Sequence, residues 1–211
     1  MKKLLLIVMM CGMSGIAFAQ QEPLNTTELG GNLGCSSDYF FRGASQMDGQ
    51  MHCNLGLKGE THGLYGGAWI GNVDFNDDAS YEYDLFLGYN LDVTDKLNID
   101  VGAIQYRYDE GYDMTEEVYA GVNYGMLSVR GYQNTDNDDT YAEAILDISN
   151  YIPVVDVSLH YGRHDDDNDF SALTVGHTTQ KGINLFATII LDSVMDGEVF
   201  DSVSTGFSYN F

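Results

Sequence analysis

The sequence has few basic residues. Nine lysines and arginines face 32 aspartates and glutamates, a formal charge of −23, yet charged residues make up only 19% of the 211 positions. A soluble domain typically carries about 25%, so the imbalance comes from missing cations and not from abundant charge. That shortage argues against nucleic-acid binding, which needs a basic surface to displace counterions. It argues equally against a polybasic membrane-surface protein. A hydrophobic content of 44% is too rich for a disordered acidic chain.

Long apolar runs are also missing, with one exception at the amino terminus. Met1-Lys2-Lys3 is a short positive segment, Leu4 to Ile16 is apolar, and Ala17-Phe18-Ala19 sets small residues before Gln20. This is the pattern of a secretory signal peptide, and it is shorter than the roughly 20 residues of a spanning helix. Cys11 does not mark a lipoprotein site, because Met9-Met10 stand where small residues belong. We therefore expect residues 1–19 to be removed, 20–28 to form a periplasmic segment, and 29–211 to form the folded body. Losing Lys2 and Lys3 leaves seven basic residues against 32 acidic ones. No run in the mature chain suits a spanning helix, so it is either exported and soluble or a transmembrane β-barrel, which has no long apolar run.

The mature chain alternates with period two. In 80–92, Tyr81, Tyr83, Leu85, Leu87, Tyr89 and Leu91 alternate with mainly polar residues, the mark of a strand with one apolar face. Val155, Val157, Leu159 and Tyr161 do the same, as do Val203, Thr205, Phe207, Tyr209 and Phe211. Turn residues divide the pattern into expected strands at 29–42, 50–60, 64–75, 80–92, 97–108, 115–125, 127–134, 140–152, 154–164, 170–180, 183–192 and 201–211. The fold class is all-β, a transmembrane antiparallel up-and-down barrel of about 12 strands. In 97–108, apolar Ile104 falls on the polar face, which suggests a bulge.

The connections alternate as well. Those after odd strands carry Asp77 and Asp78, Asp138 and Asp139, and Asp165, Asp166, Asp167 and Asp169; those after even strands are mostly tighter. Outer-membrane barrels have long external loops and short periplasmic turns, so the acidic loops are expected outside. A soluble β-sandwich also alternates. Tyrosines near strand ends, the glycine- and acid-rich polar face, and the aromatic Phe211 at the end of the apolar face favour the barrel.

Ser37-Asp38-Tyr39-Phe40-Phe41-Arg42-Gly43, then Ser45-Gln46 and Asp48-Gly49, resembles the opening hairpin of the TorF-family porins. Gly63-Leu64-Tyr65-Gly66-Gly67-Ala68-Trp69 with Asn72-Val73-Asp74-Phe75 is similar to that family's third strand, and Tyr83-Asp84-Leu85 with Gly88-Tyr89 to its fourth. The closing Ser202-Val203-Ser204 to Phe211 looks like its last strand. The distinctive motifs lie in 37–91. The resemblance implies an outer-membrane barrel with a pore and supplies no catalytic residues.

If odd positions face lipid through the fifth strand, the lumen receives Asp38, Arg42, Lys58, Glu60, Glu82, Asp84 and Asp100. Parity then switches, adding Glu117, Arg130, Glu143 and Asp147, followed by Asp156, His160 and His164. A carboxylate lining concentrates cations and repels anions. Two functions stay open: a small passive cation-preferring pore for ions or polar solutes, and a non-conducting structural or surface-interaction barrel. In the second, Arg42, Lys58 and Arg130 pair with carboxylates and fill the lumen. Eight strands are filled by side chains and 16–18 leave a channel, so twelve does not decide between them. A lumen crossed by Arg–carboxylate pairs favours the second, and a continuous carboxylate-lined water path the first.

No cofactor, metal or nucleic-acid partner is expected; the partners are outer-membrane lipid and small ions or polar solutes. The run 165–169 lacks the glycine and distal glutamate of a twelve-residue calcium loop and reads as a solvated acidic loop. His160 and His164 would stand about 13 Å apart on one strand face, too far for joint metal binding without other ligands. No serine motif accompanies His177, so catalysis is not expected. Cys35 and Cys53 are equidistant from residue 44, where the first hairpin turns, and fall on one face. A cross-strand disulfide and two buried thiols are the alternatives in an exported chain.

Overall fold

The computed structural model describes residues 27–76, 78–152, 154–165, 168–195 and 198–211. The signal-peptide reading, most of the proposed periplasmic segment, and Asp77, Asp166 and Asp167 lie outside the described residues. The rest forms a closed antiparallel barrel of twelve strands. They are β1 (Thr27–Ser36), β4 (His52–Thr61), β5 (Leu64–Asn72), β6 (Tyr81–Thr94), β7 (Leu97–Tyr108), β8 (Thr115–Tyr124), β9 (Leu127–Asn134), β10 (Thr140–Asp147), β11 (Asp156–His164), β12 (Asp169–Thr178), β13 (Ile183–Met195) and β14 (Glu198–Asn210). Two short strands, β2 (Phe40–Phe41) and β3 (Ala44–Ser45), pair only with each other. Neighbours in the chain are neighbours in the wall, and β1 meets β14 through reciprocal Gly31 and Phe211 backbone hydrogen bonds of 2.8 and 2.9 Å. Closure leaves no edge of the described wall unpaired, the condition for strands to cross lipid.

The period-two pattern sorts side chains between two environments. Leu57, Leu87 and Val203 point outward and are more than half exposed, whereas Asn32 and Asp84 point inward at 1% exposure. An apolar exterior around a polar interior is the inverse of a soluble protein and the arrangement lipid requires.

Which parity faces inward depends on each hairpin. Thr61 pairs with Leu64 across His62-Gly63, whose φ values of 53° and 81° suit a two-residue turn of the primed type. Crossing such a turn exchanges odd and even. The expectation that odd positions face lipid from the first expected strand through 97–108 therefore fails on β5, where odd positions Tyr65, Trp69 and Gly71 face the lumen. The suggested bulge near Ile104 is also absent. β7 pairs continuously with both neighbours there, and Ile104 faces the lumen at 4% exposure. Its cross-strand partners there are Phe86 and Glu117.

Several boundaries moved, four of them with consequence. β1 ends at Ser36, not 42. β10 ends at Asp147, and residues 148–155 form a longer link carrying a single 3-10 turn, Ser149–Tyr151. β13 and β14 continue pairing to Met195 and Glu198, across what the sequence read as a loop from 192 to 201.

Candidate functional site: the lumen and its infolded loop

The loop between β1 and β4 turns into the barrel. Residues 37–51 leave the wall at Ser36, form the β2–β3 hairpin and return at His52. Arg42 and Gly43 have φ values of 50° and 87°, and Asp48 and Gly49 of 48° and 75°, so the path is set at two left-handed corners. The Asp38 carboxylate accepts the Tyr39 N–H and the Ser45 hydroxyl, both at 2.7 Å, which organises the hairpin. Ser204 on β14 donates to the Asp38 carbonyl at 2.7 Å, and Ser193 on β13 donates to the Gly43 carbonyl at 3.4 Å. Asp38 and Arg42 are thus loop residues and not wall residues, which corrects their assignment to the first strand.

Two buried apolar clusters seat this loop. Phe40 packs with Tyr141, Phe170, Ala172 and Ile190, while Tyr39 and Met47 pack with Trp69, Val73 and Ala79. Tyr39 stacks on His52 at 4.5 Å between ring centroids, and His52 in turn on Trp69 at 5.7 Å. Between the clusters Arg42 reaches β8 and makes a two-pronged bond to Glu117, at 2.8 and 2.6 Å. Its guanidinium lies over Tyr141 at 4.1 Å and Tyr132 at 4.9 Å. A planar fork matched to a carboxylate and stacked on rings is a geometry lysine cannot reproduce.

Toward the end with the short turns, a polar chain runs around the wall from β4 to β11. Lys58 bonds Glu60 at 3.1 Å and lies over the Tyr65 ring at 4.5 Å. Tyr65 donates to Asp100 at 2.6 Å and meets the Tyr119 hydroxyl at the same distance. Arg130 bridges Asp100 at 2.7 Å and Tyr132 at 3.2 Å. The Tyr132 hydroxyl donates to Glu143, which also meets His160 Nε2, both at 3.0 Å. Among the described residues no three His, Cys, Asp or Glu side chains could hold a metal.

The remaining assigned residues fall as follows. Glu82 and Asp84 face inward on β6; Tyr108 donates to Glu82 at 3.2 Å, while among the described residues no donor reaches either Asp84 oxygen. Asp147 accepts the Ser149 N–H at 2.9 Å and so fastens the 148–155 link. Asp156 opens β11, half-buried, opposite Gly176. His164 packs against Tyr141 at 4.9 Å. Asp78, Asp138, Asp139 and Asp165 are exposed in connections. Asp169 is a correction: it is the first residue of β12, paired with Arg163, and accepts the Tyr161 hydroxyl at 3.0 Å. Cys35 pairs with Cys53 across β1 and β4 in a disulfide at the neck of the infolded loop.

Sequence reasoning missed Tyr65, Trp69, Tyr106, Tyr119, Tyr132 and Tyr141 as lumen residues, having read tyrosine as an interfacial girdle. Tyr83, Tyr89 and Tyr209 do face outward. The signal separating the two sets was parity within each strand, readable once the turn lengths were known.

The model of a family described as bacterial proteins of unknown function (Gcw_chp) matches residues 20–192. The chain belongs to the Gcw_chp family. No curated protein sequence matches this Gcw_chp chain. Among solved structures it is similar to the KdgM porin, with a TM-score of 0.59 at 9% identity, over 88% of this chain and 99% of that one. The KdgM porin in complex with disordered oligogalacturonate gives 0.60 at 8%, over the same shares. At such identities the likeness is one of fold: this Gcw_chp chain has the barrel architecture of an outer-membrane porin.

Proposed function

We propose that this protein is an outer-membrane porin: a narrow passive pore, cation-preferring, constricted by the loop at 37–51 that folds in from the extracellular end. The observation that carries this reading is the lumen charge. Glu60, Glu82, Asp84, Asp100, Glu117, Glu143 and Asp147 face inward or into the polar interior against Lys58, Arg42 and Arg130. Surplus carboxylate next to a low-dielectric wall favours cations over anions. The likeness to a porin fold and the resemblance of residues 37–91 to the TorF-family porins support the same reading. The cleaved signal and the acidic external loops belong to it. An anionic sugar chain of the kind held by the KdgM porin would meet repulsion in this lumen.

A second reading has its own observation. Arg42–Glu117 ties the infolded loop to the wall, Arg130–Asp100 pairs along the wall, and the loop packs one half of the interior, as a non-conducting structural or surface-interaction barrel would require. Single-channel recording of the refolded chain across a salt gradient separates the two. Small conductance with a cation-selective reversal potential is expected; anion selectivity overturns the charge argument, and no conductance in wild type and in a chain lacking the loop tip establishes the second reading.

A further inference from the structure

Most inward carboxylates have a partner of opposite charge or a full set of donors. Glu60 has Lys58, Asp100 has Arg130, Glu117 has Arg42, and Glu143 has His160. Asp84 differs. It is 1% exposed, and neither oxygen accepts a hydrogen bond from any described residue. Two residues away on the same strand face, Glu82 is 3% exposed and, among the described residues, receives only the Tyr108 hydroxyl. An uncompensated buried carboxylate is among the costliest groups a protein can keep. The neighbours are aromatic: Trp69 and Tyr106 are the cross-strand partners of Asp84, Tyr108 that of Glu82, and Tyr39 of the infolded loop packs against Trp69 at 5.7 Å between ring centroids.

We infer that Glu82 and Asp84, walled by Trp69, Tyr39, Tyr106 and Tyr108, form a binding site for one monovalent cation beneath the infolded loop. Two carboxylates are too few oxygens for calcium, which takes six to eight, and the enclosed rings cannot supply the octahedral water shell magnesium keeps. Ring faces do attract weakly hydrated monovalent ions, and the carboxylates supply the charge. The site rests on the cation-preferring reading of the lumen and deepens it. It gives the pore a discrete occupied position on the β5–β7 side, where carboxylate is not already neutralised by arginine.

The chain has a single tryptophan, Trp69, facing Asp84 across the ladder. Thallium(I), a monovalent ion that quenches indole emission, is therefore a direct probe. The refolded full chain in detergent is titrated with thallium(I) nitrate at fixed ionic strength, with a bulky organic cation as balance. Saturable quenching is expected, relieved by potassium and weakened roughly tenfold or more in Asp84→Asn and in Glu82→Gln, as loss of one of two charges implies. Asp95→Asn, in the exposed turn between β6 and β7, retains wild-type binding. Retained heat-modifiable mobility shows that each variant is folded, and Glu82→Gln carries the test should Asp84→Asn fail to fold. Linear quenching equal in wild type and both variants overturns the site. Saturable binding without bilayer conductance keeps the site and removes the pore; cation-selective conductance without saturable binding does the reverse.

Discussion

The two halves of the interior are built on different principles. Near the long connections, a loop and the wall share apolar clusters around one ion pair, Arg42–Glu117, in the manner of a protein core. Near the short turns, Lys58, Tyr65, Asp100, Arg130, Tyr132, Glu143 and His160 bond sideways around the wall, and the loop meets them through Arg42 over the Tyr132 ring. The first half is held by something that entered the barrel and can in principle leave it. The second is part of the barrel itself. Barrel strength and pore width are thereby separated: changes in the loop half should alter passage, and changes in the turn half should alter stability.

The largest expected contrast is between the two arginines. Arg42→Ala strands Glu117 with only Tyr106, 3.2 Å away, as a donor. Removing one partner of a buried pair costs about 3–5 kcal/mol, most readily avoided if the loop leaves the lumen. Conductance should rise and the urea midpoint should fall. Arg130→Ala leaves Asp100 its 2.6 Å bond from Tyr65, so a smaller stability loss with unchanged conductance is expected. Equal conductance changes in both variants would erase the distinction between the halves. Next in size is Cys35→Ser with Cys53→Ser. The bond closes the loop's neck across a sequence separation of 18, and freeing a loop of that length costs about 3 kcal/mol by chain entropy. Broader open-state current fluctuations should accompany the loss. Intact mass after alkylation, showing two free thiols in the untreated chain, would remove the premise.

Much of this was legible beforehand. Twelve strands, their order and most boundaries followed from alternation and turn residues, because a barrel wall uses one rule throughout. The infolded loop did not follow from it. Tyr39, Phe40 and Phe41 read as the end of a strand, since apolar residues bound for a core and apolar residues bound for lipid look alike in sequence. Arg42 and Glu117 are 75 positions apart, and no local pattern joins them. Trp69 and Tyr65 were turned the wrong way by one unrecognised exchange of parity at His62-Gly63. Local periodicity fixes faces only relative to each other; the turn decides which face is inside.

Two glycines extend the comparison to single atoms. Gly43, at the loop tip, has a φ of 87°, and a Cβ there would stand 2.6 Å from two Phe170 atoms. Gly43→Ala combines left-handed strain with overpacking, roughly 1–3 kcal/mol, and should lift the tip from its seat and widen the pore. Gly131 sits mid-strand on β9 with open space where its Cβ would be. Gly131→Ala should be neutral or stabilising by about 0.5–1 kcal/mol, with unaltered conductance. A matched loss in both variants would mean that the loop tip is not seated against β12.

The smallest expected effect lies outside the lumen, where one loop carboxylate ties two connections together. Asp109 accepts the N–H groups of Ser80 and Tyr81 at 2.8 and 3.0 Å, and these bonds hold its carboxyl below the usual aspartate value. A lowered folded value means the contribution is present above the unfolded pKa, about 4, and is lost as pH falls through the folded value. Hydrogen exchange at Ser80 and Tyr81 should therefore be slow at neutral pH and accelerate in strong acid beyond the intrinsic trend. Asp109→Ala, which removes the acceptor, should show fast exchange at all pH values. Because neither amide touches the infolded loop's ion pair, single-channel conductance should not follow this titration. If it does, the external connections and the infolded loop move together, and the loop half of the interior extends to the rim.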